Sequence, residues 1–387
     1  MRVFDFGSGY TNPLTFPVAG LAEVAGKAIE SVGAEFTRYP GDLGHRGLRE
    51  VLAARERKRE GVEVDADHIA LTNGSMQGVT LVAEALTNGP GDVVLTEELT
   101  YSGTIGAYRR MGLKMVGVAL DEHGMRVDDL EGKIAALQDE GVSPRFIYAL
   151  TTYQNPTGSV MPRSRRAEMI EVARRCDCPV VEDNCYGDVH FEGEVEPSLY
   201  AMDDSPNLIY LCSLSKILGP GVRMGYLMAR PPMLGRLLER RFDGGNSLLA
   251  AAVLSEFFRD HLWDHVERTN AALKEKRDAL FVALEESVGD ICSWSQPVGG
   301  LFVWVDLPED VDRSRLAELA AERNVRYARG SAFHVRGEDV PNLRLAFGYC
   351  SLEDIREGIP QLAECIRAAR RGSPAATATA AEAATAG

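Results

Sequence analysis

A lysine in a polar segment directly after an apolar run is the residue of this chain best suited to covalent chemistry. Residues 208–211, LIYL, are typical of a buried strand, and Lys216 ends the segment CSLSK that follows. Burial lowers the pKa of a lysine and makes its amine a better nucleophile toward a carbonyl. Ser213, Ser215 and Arg223 could bind a phosphate nearby, although an isolated motif of this kind also fits a lysine that points to solvent.

Two further polar sites follow predicted strands in the first third of the chain. The segment with Ser75, Met76 and Gln77 joins the apolar run 69–72 to a predicted helix at 79–86, where backbone N–H groups and the helix dipole attract an anion. Tyr101 follows another strand and could stack on a planar ring. Taken alone, Ser75 also fits an ordinary N-cap and Tyr101 a core residue.

Three more polar residues accompany later strands. Asn155 precedes a proline, which favours an extended backbone and fixes its amide as a hydrogen-bond donor. Asp183 ends an apolar strand, so a buried carboxylate there needs a cationic partner. Arg344 lies within an apolar strand and could bind a carboxylate through both of its terminal nitrogens. Alternatively, Asn155 could belong to a turn, Asp183 could form a salt bridge to an arginine, and Arg344 could face outward from the sheet.

The elements that must position these residues alternate from residue 69 onward. Stretches with helical spacing, such as 163–175, separate short apolar runs at residues 69–72, 93–95, 115–120, 146–150, 180–181, 208–211 and 225–228. Apolar strands that alternate with helices predict an α/β fold with a mostly parallel sheet covered on both faces. Ligands of such sheets bind beyond the carboxyl ends of the strands, which is where the polar clusters fall.

A second, smaller α+β unit is predicted towards the carboxyl end. It contains predicted strands at 301–305 and 342–347 and helices at 314–323 and 352–371. The expected organisation is an N-terminal arm or part of the small domain at 1–40, a large domain at 41–285, a small domain at 286–371 and a disordered Ala/Thr-rich tail at 372–387.

Composition narrows the possible partners and compartments. The net charge of −15 over 387 residues argues against nucleic acids and anionic membranes as general partners. The seven cysteines, an odd number without a signal-peptide pattern, predict reduced thiols and a cytoplasmic location. Cys176 and Cys178 form a C-x-C motif with no second pair at zinc spacing, so no metal site is expected. No apolar run is long enough to predict a membrane span.

Together the polar clusters match the requirements of one cofactor, pyridoxal 5'-phosphate (PLP). PLP needs a lysine for its carbonyl, an acid for its pyridine nitrogen, and hydroxyls with a cation for its phosphate. Asn155, Asp183 and Lys216 follow successive strands at intervals of 28 and 33 residues. The order of these residues is a stronger indication than any one of them.

The chain resembles the fold-type I PLP-dependent aminotransferases of class I/II. The motifs that carry the resemblance are NPTG at 155–158, DNCY at 183–186 and SLSKILGPGVRMGY at 213–226. The Phe16-Pro17 pair and the pattern YPxxxGxxxLRE at 39–50 resemble the 2-aminoadipate, aromatic and multisubstrate branch. The resemblance covers roughly residues 4–370. It implies a large domain with a mostly parallel, seven-stranded sheet flanked by helices, a smaller α+β domain, and a homodimer with active sites at the subunit interface.

The resemblance also implies a role for each candidate residue. Lys216 would hold the cofactor as a Schiff base and then move protons, while Asp183 would keep the pyridine nitrogen protonated. Asn155 and Tyr186 would bind the phenolic oxygen, and Tyr101 would stack on the ring. Arg344 would bind the substrate carboxylate, with Gly9 beside it. The residues that would hold the phosphate are Ser75, Met76 through its backbone, Gln77, Ser213, Ser215, Arg223 and, from the neighbouring subunit, Tyr39.

The implied reaction is a ping-pong transamination between an L-amino acid and a 2-oxo acid in amino acid metabolism or biosynthesis. The alternatives are a lyase, decarboxylating or oxidase-like enzyme on the same scaffold, or a PLP-sensing regulator, which needs an added DNA-binding domain. Cys212 and Leu214 depart from the small and aromatic residues common in the family. The amino donor is not specified by the sequence, and candidates for a second substrate cation are Arg38, Arg46, Arg241 and Arg329.

Overall fold

The computed structural model describes residues 2–371, so the tail at 372–387, for which disorder is predicted, lies outside the described residues. The strands, in chain order, are β1 (Phe4–Asp5), β2 (Ile69–Thr72), β3 (Val93–Glu97), β4 (Lys114–Val118), β5 (Leu120–Asp121), β6 (Gly124–Met125), β7 (Ile147–Ala149), β8 (Val180–Asp183), β9 (Leu208–Ser213), β10 (Gly225–Met228), β11 (Ser293–Trp294), β12 (Phe302–Asp306), β13 (Val325–Arg326), β14 (Ala328–Arg329) and β15 (Asn342–Ala346).

Helices cover these strands and connect them. In chain order they are α1 (Val18–Val32), α2 (Arg46–Glu60), α3 (Ser75–Leu86), α4 (Ser102–Arg110), α5 (Val127–Asp139), α6 (Arg163–Arg175), α7 (Leu199–Met202), α8 (Met233–Leu238), α9 (Leu248–Val288), α10 (Arg313–Glu322) and α11 (Leu352–Ala368).

A seven-stranded sheet in the order β2-β10-β9-β8-β7-β3-β4 forms the centre of the molecule. Strand β10 runs antiparallel to both of its neighbours, and the remaining pairs are parallel. The prediction of a mostly parallel α/β sheet is therefore confirmed. Every residue of β7, β8 and β9 is buried, as expected for apolar strands covered by helices on both faces. The carboxyl ends of these three strands are neighbours, so the polar residues that follow them lie at one edge of the sheet.

The smaller unit is an antiparallel sheet in the order β11-β12-β15-β14, with α10 and α11 nearby. The short strand β1 pairs with β13 in parallel, which ties the N-terminal segment to this part of the chain. Its position brings the Gly7 carbonyl to Arg344 in the middle of β15 and brings Gly9 close to Phe302 at the start of β12.

Helix α9 is 41 residues long and contacts α1, α2 and α11, so one continuous element runs between the two parts of the fold. It crosses the boundary expected at residue 285, and the division into domains stays a prediction. Helix α3 begins at Ser75, four residues before the helix start expected from the sequence. No helix among residues 2–371 is long and apolar enough to cross a membrane.

Candidate active site

A cleft lies beyond the carboxyl ends of β8 and β9 and contains about 580 Å³ of empty space, including its open mouth. Its walls come from six separate segments of the chain. The lining residues are Gly74, Ser75, Met76, Tyr101, Leu150, Asp183, Cys185, Tyr186, Ser213, Ser215, Lys216, Pro220 and Arg223. Nine of the predicted site residues are among them, which places the lysine, the acid and five of the predicted phosphate-binding residues around one space.

Lys216 is half-buried at the end of the short 3-10 turn that follows β9. Its Nζ donates a hydrogen bond to the carbonyl oxygen of Gly9 at 3.0 Å and lies 5.6 Å from the centre of the Tyr186 ring. Desolvation lowers the pKa of the Lys216 amine below its ordinary value. A larger share of this amine is therefore unprotonated and nucleophilic than for a lysine in water.

Asp183 ends β8 and is buried, with 3% of its surface exposed. Its Oδ2 accepts a hydrogen bond from the Tyr148 hydroxyl at 2.6 Å, and its Oδ1 accepts one from the Cys185 thiol at 2.7 Å. Burial raises the pKa of this carboxyl, and the two donors oppose that shift. Within the described residues no lysine, arginine or histidine nitrogen lies within 4.0 Å of its oxygens. A ligand cation would be the missing partner.

The corner of the cleft between α3 and Arg223 is suited to an anion. Gly74 precedes α3 with φ of 80°, and a Cβ at this position would lie 2.8 Å from a terminal nitrogen of Arg223. The guanidinium donates to the carbonyl oxygen of Asn73 at 2.8 Å, which holds it next to the first N–H groups of the helix. Ser213 and Ser215 line the cleft together with Arg223. The backbone N–H of Ser215 donates a hydrogen bond to the Ser213 hydroxyl at 3.2 Å. A helix start, a cation and hydroxyls in this arrangement are the groups that a phosphate needs.

Two residues predicted to hold the phosphate lie elsewhere in this protomer. The side-chain oxygen of Gln77 accepts a hydrogen bond from the Asn73 N–H, and its side-chain nitrogen donates one to the Asp243 carboxylate. The side chain is therefore directed away from the cleft. Tyr39 is 86% exposed and packs against Gly244, outside the cleft of its own chain.

Arg344 lies in the middle of β15 with 6% of its surface exposed. Its two terminal nitrogens donate to Asn155 Oδ1 at 2.9 Å and to the Gly7 carbonyl oxygen at 2.7 Å. The guanidinium carbon lies 4.0 Å from the centre of the Phe302 ring and 4.7 Å from that of Phe333. Desolvation lowers the pKa of Arg344 to about 10, and its buried Nε has no partner among the described residues.

The sequence prediction for Asn155 is only partly reflected in its contacts. Its amide nitrogen lies 3.5 Å from the Tyr186 hydroxyl, a long hydrogen bond, and its oxygen accepts from Arg344. It therefore links the Tyr186 edge of the cleft to the arginine, rather than acting only as a donor.

The sequence reasoning missed four residues at this site: Tyr148, Cys185, Phe302 and Phe333. Cys185 lies inside the DNCY motif, and Tyr148 is the one residue with a hydroxyl in the run FIYAL, so both carried a signal. The two phenylalanines approach Arg344 from β12 and from the segment before β15, and only the three-dimensional fold brings them together.

The residues present fit PLP. Asp183 is a buried acid with no cation within 4.0 Å among the described residues, the Gly74 corner leaves room that a Cβ would fill, and Lys216 lines the same cleft. A seven-stranded sheet with this lysine and acid at its carboxyl edge defines a PLP-dependent enzyme of fold type I.

The chain belongs to the family "aminotransferase class I and II", whose model matches residues 3–362. It is 34% identical to aromatic-amino-acid aminotransferase 1 of Thermococcus litoralis, over 94% of this chain and 88% of the relative. The crystal structure of a multiple substrate aminotransferase from Thermococcus profundus is 32% identical, with a TM-score of 0.88, and covers 94% of this chain and 91% of its own.

The structure of LysN, an alpha-aminoadipate aminotransferase from Thermus thermophilus complexed with N-(5'-phosphopyridoxyl)-L-leucine, is 29% identical. Its TM-score is 0.86, with 94% of this chain and 92% of LysN covered. The protein is thus a PLP-dependent aminotransferase of the aromatic and 2-aminoadipate branch. Its substrates are amino acids and 2-oxo acids, between which it moves an amino group by a ping-pong mechanism.

Proposed function

We propose that Lys216 is the catalytic lysine of this aminotransferase and that its amino donor is an L-amino acid with an aromatic or aliphatic side chain. The observation that carries the first part is the position of Lys216 and Asp183 in one cleft. Both groups lie beyond adjacent strands, and neither has an ion-pair partner within 4.0 Å among residues 2–371. Buried charges without partners are found at sites that bind charged ligands.

PLP, when bound, supplies an electron sink that stabilises negative charge at the α-carbon of the amino acid. Asp183 would bind its pyridine nitrogen, Tyr101 would lie against its ring, and Asn155 and Tyr186 would bind its phenolic oxygen. The residues that would hold its phosphate are Ser75, Met76 through its backbone, Ser213, Ser215 and Arg223.

Lys216 performs two tasks with the same nitrogen. Its Nζ would hold the cofactor through the cofactor's carbonyl, and as a free amine the same Nζ would accept the proton from the substrate Cα. The lowered pKa favours the unprotonated amine that both tasks need. The hydrogen bond to the Gly9 carbonyl keeps Nζ at the side of the cleft that faces Arg344.

Arg344 binds the α-carboxylate of the substrate. The aromatic rings on either side of its guanidinium and its bonds to Asn155 and Gly7 hold it in one orientation before the substrate arrives. A carboxylate can replace these two neutral acceptors with charged ones.

The surroundings of Arg344 support an uncharged substrate side chain. Among the four arginines considered for a second carboxylate, Arg46 is paired with Glu50 and Arg241 with Asp243. The surfaces next to Arg344 are the rings of Phe302 and Phe333. This environment suits aromatic and aliphatic side chains better than dicarboxylic ones.

We also propose that two copies of the chain associate. Tyr39 and Phe242 are 86% and 89% exposed, and the contact of Gly244 with the Tyr39 ring shows that their segments are neighbours. Exposed aromatic residues in one patch indicate a protein interface. Tyr39 would then reach the phosphate corner of the partner. Sedimentation should give the mass of a dimer, and Phe242→Asp should shift it to the monomer and weaken PLP binding. The cytoplasmic location stays a prediction.

The experiment that tests the proposed reaction adds one amino acid at a time to the PLP-loaded enzyme, with no 2-oxo acid present. Conversion of the visible absorbance band to that of the pyridoxamine form reports the first half-reaction. Aromatic and aliphatic L-amino acids should convert the enzyme faster than aspartate or glutamate. Faster conversion by the dicarboxylic amino acids would overturn the substrate class, and an absence of conversion by Lys216→Ala is expected for every donor.

A further inference from the structure

The carboxylate of Asp183 is held by neutral donors alone. Tyr148 donates to one oxygen at 2.6 Å and Cys185 to the other at 2.7 Å, from two different elements. A buried carboxylate is stabilised in its charged form either by a cation or by hydrogen bonds. Because no cation lies within 4.0 Å among the described residues, the two hydrogen bonds carry this task before a ligand binds.

The Tyr148 hydroxyl has a defined direction. Tyr148 lies on β7 with no exposed surface, and its hydroxyl oxygen accepts a hydrogen bond from Thr104 Oγ1 at 3.0 Å. An ionised carboxylate only accepts, so the single proton of Tyr148 points to Asp183 and Thr104 satisfies the tyrosine oxygen. Thr104 belongs to α4, whose N-cap is Tyr101, so the same helix is connected to the acid and to the ring face of the cleft.

Cys185 completes the other side of the carboxylate. Burial raises the pKa of this thiol well above its ordinary value, which keeps the sulfur protonated and able to donate. Cys185 also lines the cleft that would hold the cofactor. A thiol is a weaker donor than a phenol, and its contribution to Asp183 is therefore the smaller one.

We propose that Tyr148 and Cys185 are positioning residues that hold Asp183 as an oriented, ionised carboxylate for the pyridine nitrogen, with Thr104 directing the Tyr148 hydroxyl. The proposal rests on the proposed role of Asp183 as the partner of that nitrogen. It assigns the two donors a function in cofactor affinity that a purely structural contact would not have.

The sign of the pH effect follows from the charge of Asp183. Removing a donor raises the pKa of the carboxyl, so a larger fraction of it is protonated, and unable to pair with a cation, as the pH falls. The other titratable groups that face Asp183 from the elements packed around it are Glu97, Tyr101, Tyr108, Tyr186 and Lys216. All of them are unchanged in the variants compared below, except for Tyr108 in its own control.

The test measures the dissociation constant of PLP from the apoprotein by equilibrium dialysis between pH 6 and 9. Tyr148→Phe should weaken binding roughly 10- to 100-fold at neutral pH, the effect of losing a hydrogen bond to a charged group. The ratio of its constant to that of the wild type should grow as the pH falls. Tyr108→Phe is the matched control, because this buried neighbour lies 6.0 Å from Tyr148, ring to ring, and its hydroxyl has no partner among the described residues.

Weaker effects are expected along the rest of the hydrogen-bond chain. Cys185→Ala and Thr104→Val should each weaken PLP binding about threefold, with the same dependence on pH. Cys185→Ser, which keeps a donor, should restore part of the affinity lost in Cys185→Ala. These variants keep the test decisive if Tyr148→Phe does not fold, as judged by circular dichroism.

Asp183→Asn separates failure of this proposal from failure of the proposed function. If Asp183→Asn binds PLP as the wild type does, the role of Asp183 is wrong and the proposal falls with it. If Asp183→Asn weakens binding but the Tyr148, Cys185 and Thr104 variants match Tyr108→Phe at every pH, the role of Asp183 stands and the proposal is wrong. A ratio that is independent of pH would also overturn it, since that is the result of a structural defect.

Discussion

Glu182 and Asp183 are adjacent on β8, equally buried, and differ in how their charge is compensated. Glu182 accepts hydrogen bonds from Thr151 at 2.5 Å and from the Leu199 N–H at 2.8 Å, and it pairs with Arg166 at 3.4 Å. Asp183 points to the opposite face of the sheet and has only the Tyr148 and Cys185 donors. The same strand thus carries one carboxylate neutralised by the fold and one left for a ligand.

A second comparison on a larger scale gives the same lesson. Next to β9 and β10, Arg55 and Arg59 of α2 pair with Glu56 and Asp188, and all four side chains are nearly inaccessible to solvent. At the candidate site, by contrast, neither Lys216, which lines the cleft, nor Arg344 has a carboxylate within 4.0 Å among residues 2–371. We therefore expect charges that stabilise the fold to occur in compensated groups, and charges that serve the reaction to lack partners until cofactor and substrate bind.

The largest expected effect distinguishes Lys216 from Lys276, a buried lysine on α9. Lys216 and Lys276 each donate to a backbone carbonyl, of Gly9 and Gly348 respectively. Lys216→Ala should lower kcat by at least about 10³-fold, because both the covalent link and the proton acceptor are lost. Lys276→Met should change stability while it leaves kcat within about twofold of wild type. Steady-state kinetics on both PLP-loaded variants makes the comparison, and retained turnover in Lys216→Ala would contradict it.

The paired and unpaired carboxylates should respond in opposite ways to neutralisation in the apoprotein. Glu182→Gln leaves the buried Arg166 without its partner and should lower the free energy of unfolding by about 3–5 kcal/mol. Asp183→Asn removes a charge that burial disfavours, and the stability of the apoprotein should stay equal or rise. Urea unfolding of both apoproteins measures the difference. A larger loss in Asp183→Asn than in Glu182→Gln would mean that the fold, not a ligand, relies on Asp183.

Arg344 should affect substrates according to whether they carry a carboxylate. Arg344→Met should lower kcat/KM for an amino acid roughly 100-fold, since a carboxylate then loses its charged donors. The reaction with an amine that lacks the α-carboxylate should be nearly unchanged, and it serves as the control within the same variant. Equal losses for both substrates would indicate that Arg344 supports the cleft through Asn155 and Gly7 rather than binding substrate.

The smallest effect concerns the pH dependence of stability. Burial lowers the pKa of Lys276 to about 8 from 10.5, so the folded state binds fewer protons than the unfolded state between these values. Stability contributed by Lys276 therefore rises with pH across this window. Lys276→Met should flatten the rise of Tm between about pH 8 and 10.5. Lys274→Met, on the same helix, should not, because the ion pair with Asp278 raises rather than lowers the pKa of Lys274. Parallel curves for wild type and Lys276→Met would contradict the assignment.

The sequence was sufficient to locate the seven strands of the central sheet and the polar residues closest to their ends, but not the short strands β1, β5, β6, β11, β13 and β14. Apolar runs located the strands, and Asp183 and Lys216 stood out because polar residues directly follow such runs. The sheet order and the antiparallel direction of β10 were not predictable in this way, because they depend on pairing between distant segments.

Most of the site contacts that could not be predicted from the sequence depend on the direction in which a side chain points in the fold. The amide of Gln77 binds Asp243, 166 residues away along the chain, and no local pattern contains this contact. The rings that hold Arg344 come from two separate segments for the same reason. Tyr148 was hidden because a tyrosine in an apolar strand is usually a core residue. Local spacing identifies groups that could react, and only the fold shows which of them are already paired.

The most direct test of the distinction between compensated and uncompensated charge is the stabilisation that PLP gives to three proteins. The shift of Tm on addition of saturating PLP to the apoprotein is compared for the wild type, Glu182→Gln and Asp183→Asn. The Tm of the wild type and the Tm of Glu182→Gln should rise by the same amount, although the two proteins start from different values. The Tm of Asp183→Asn should rise by clearly less. An undiminished shift in Asp183→Asn, together with a reduced one in Glu182→Gln, would contradict the account.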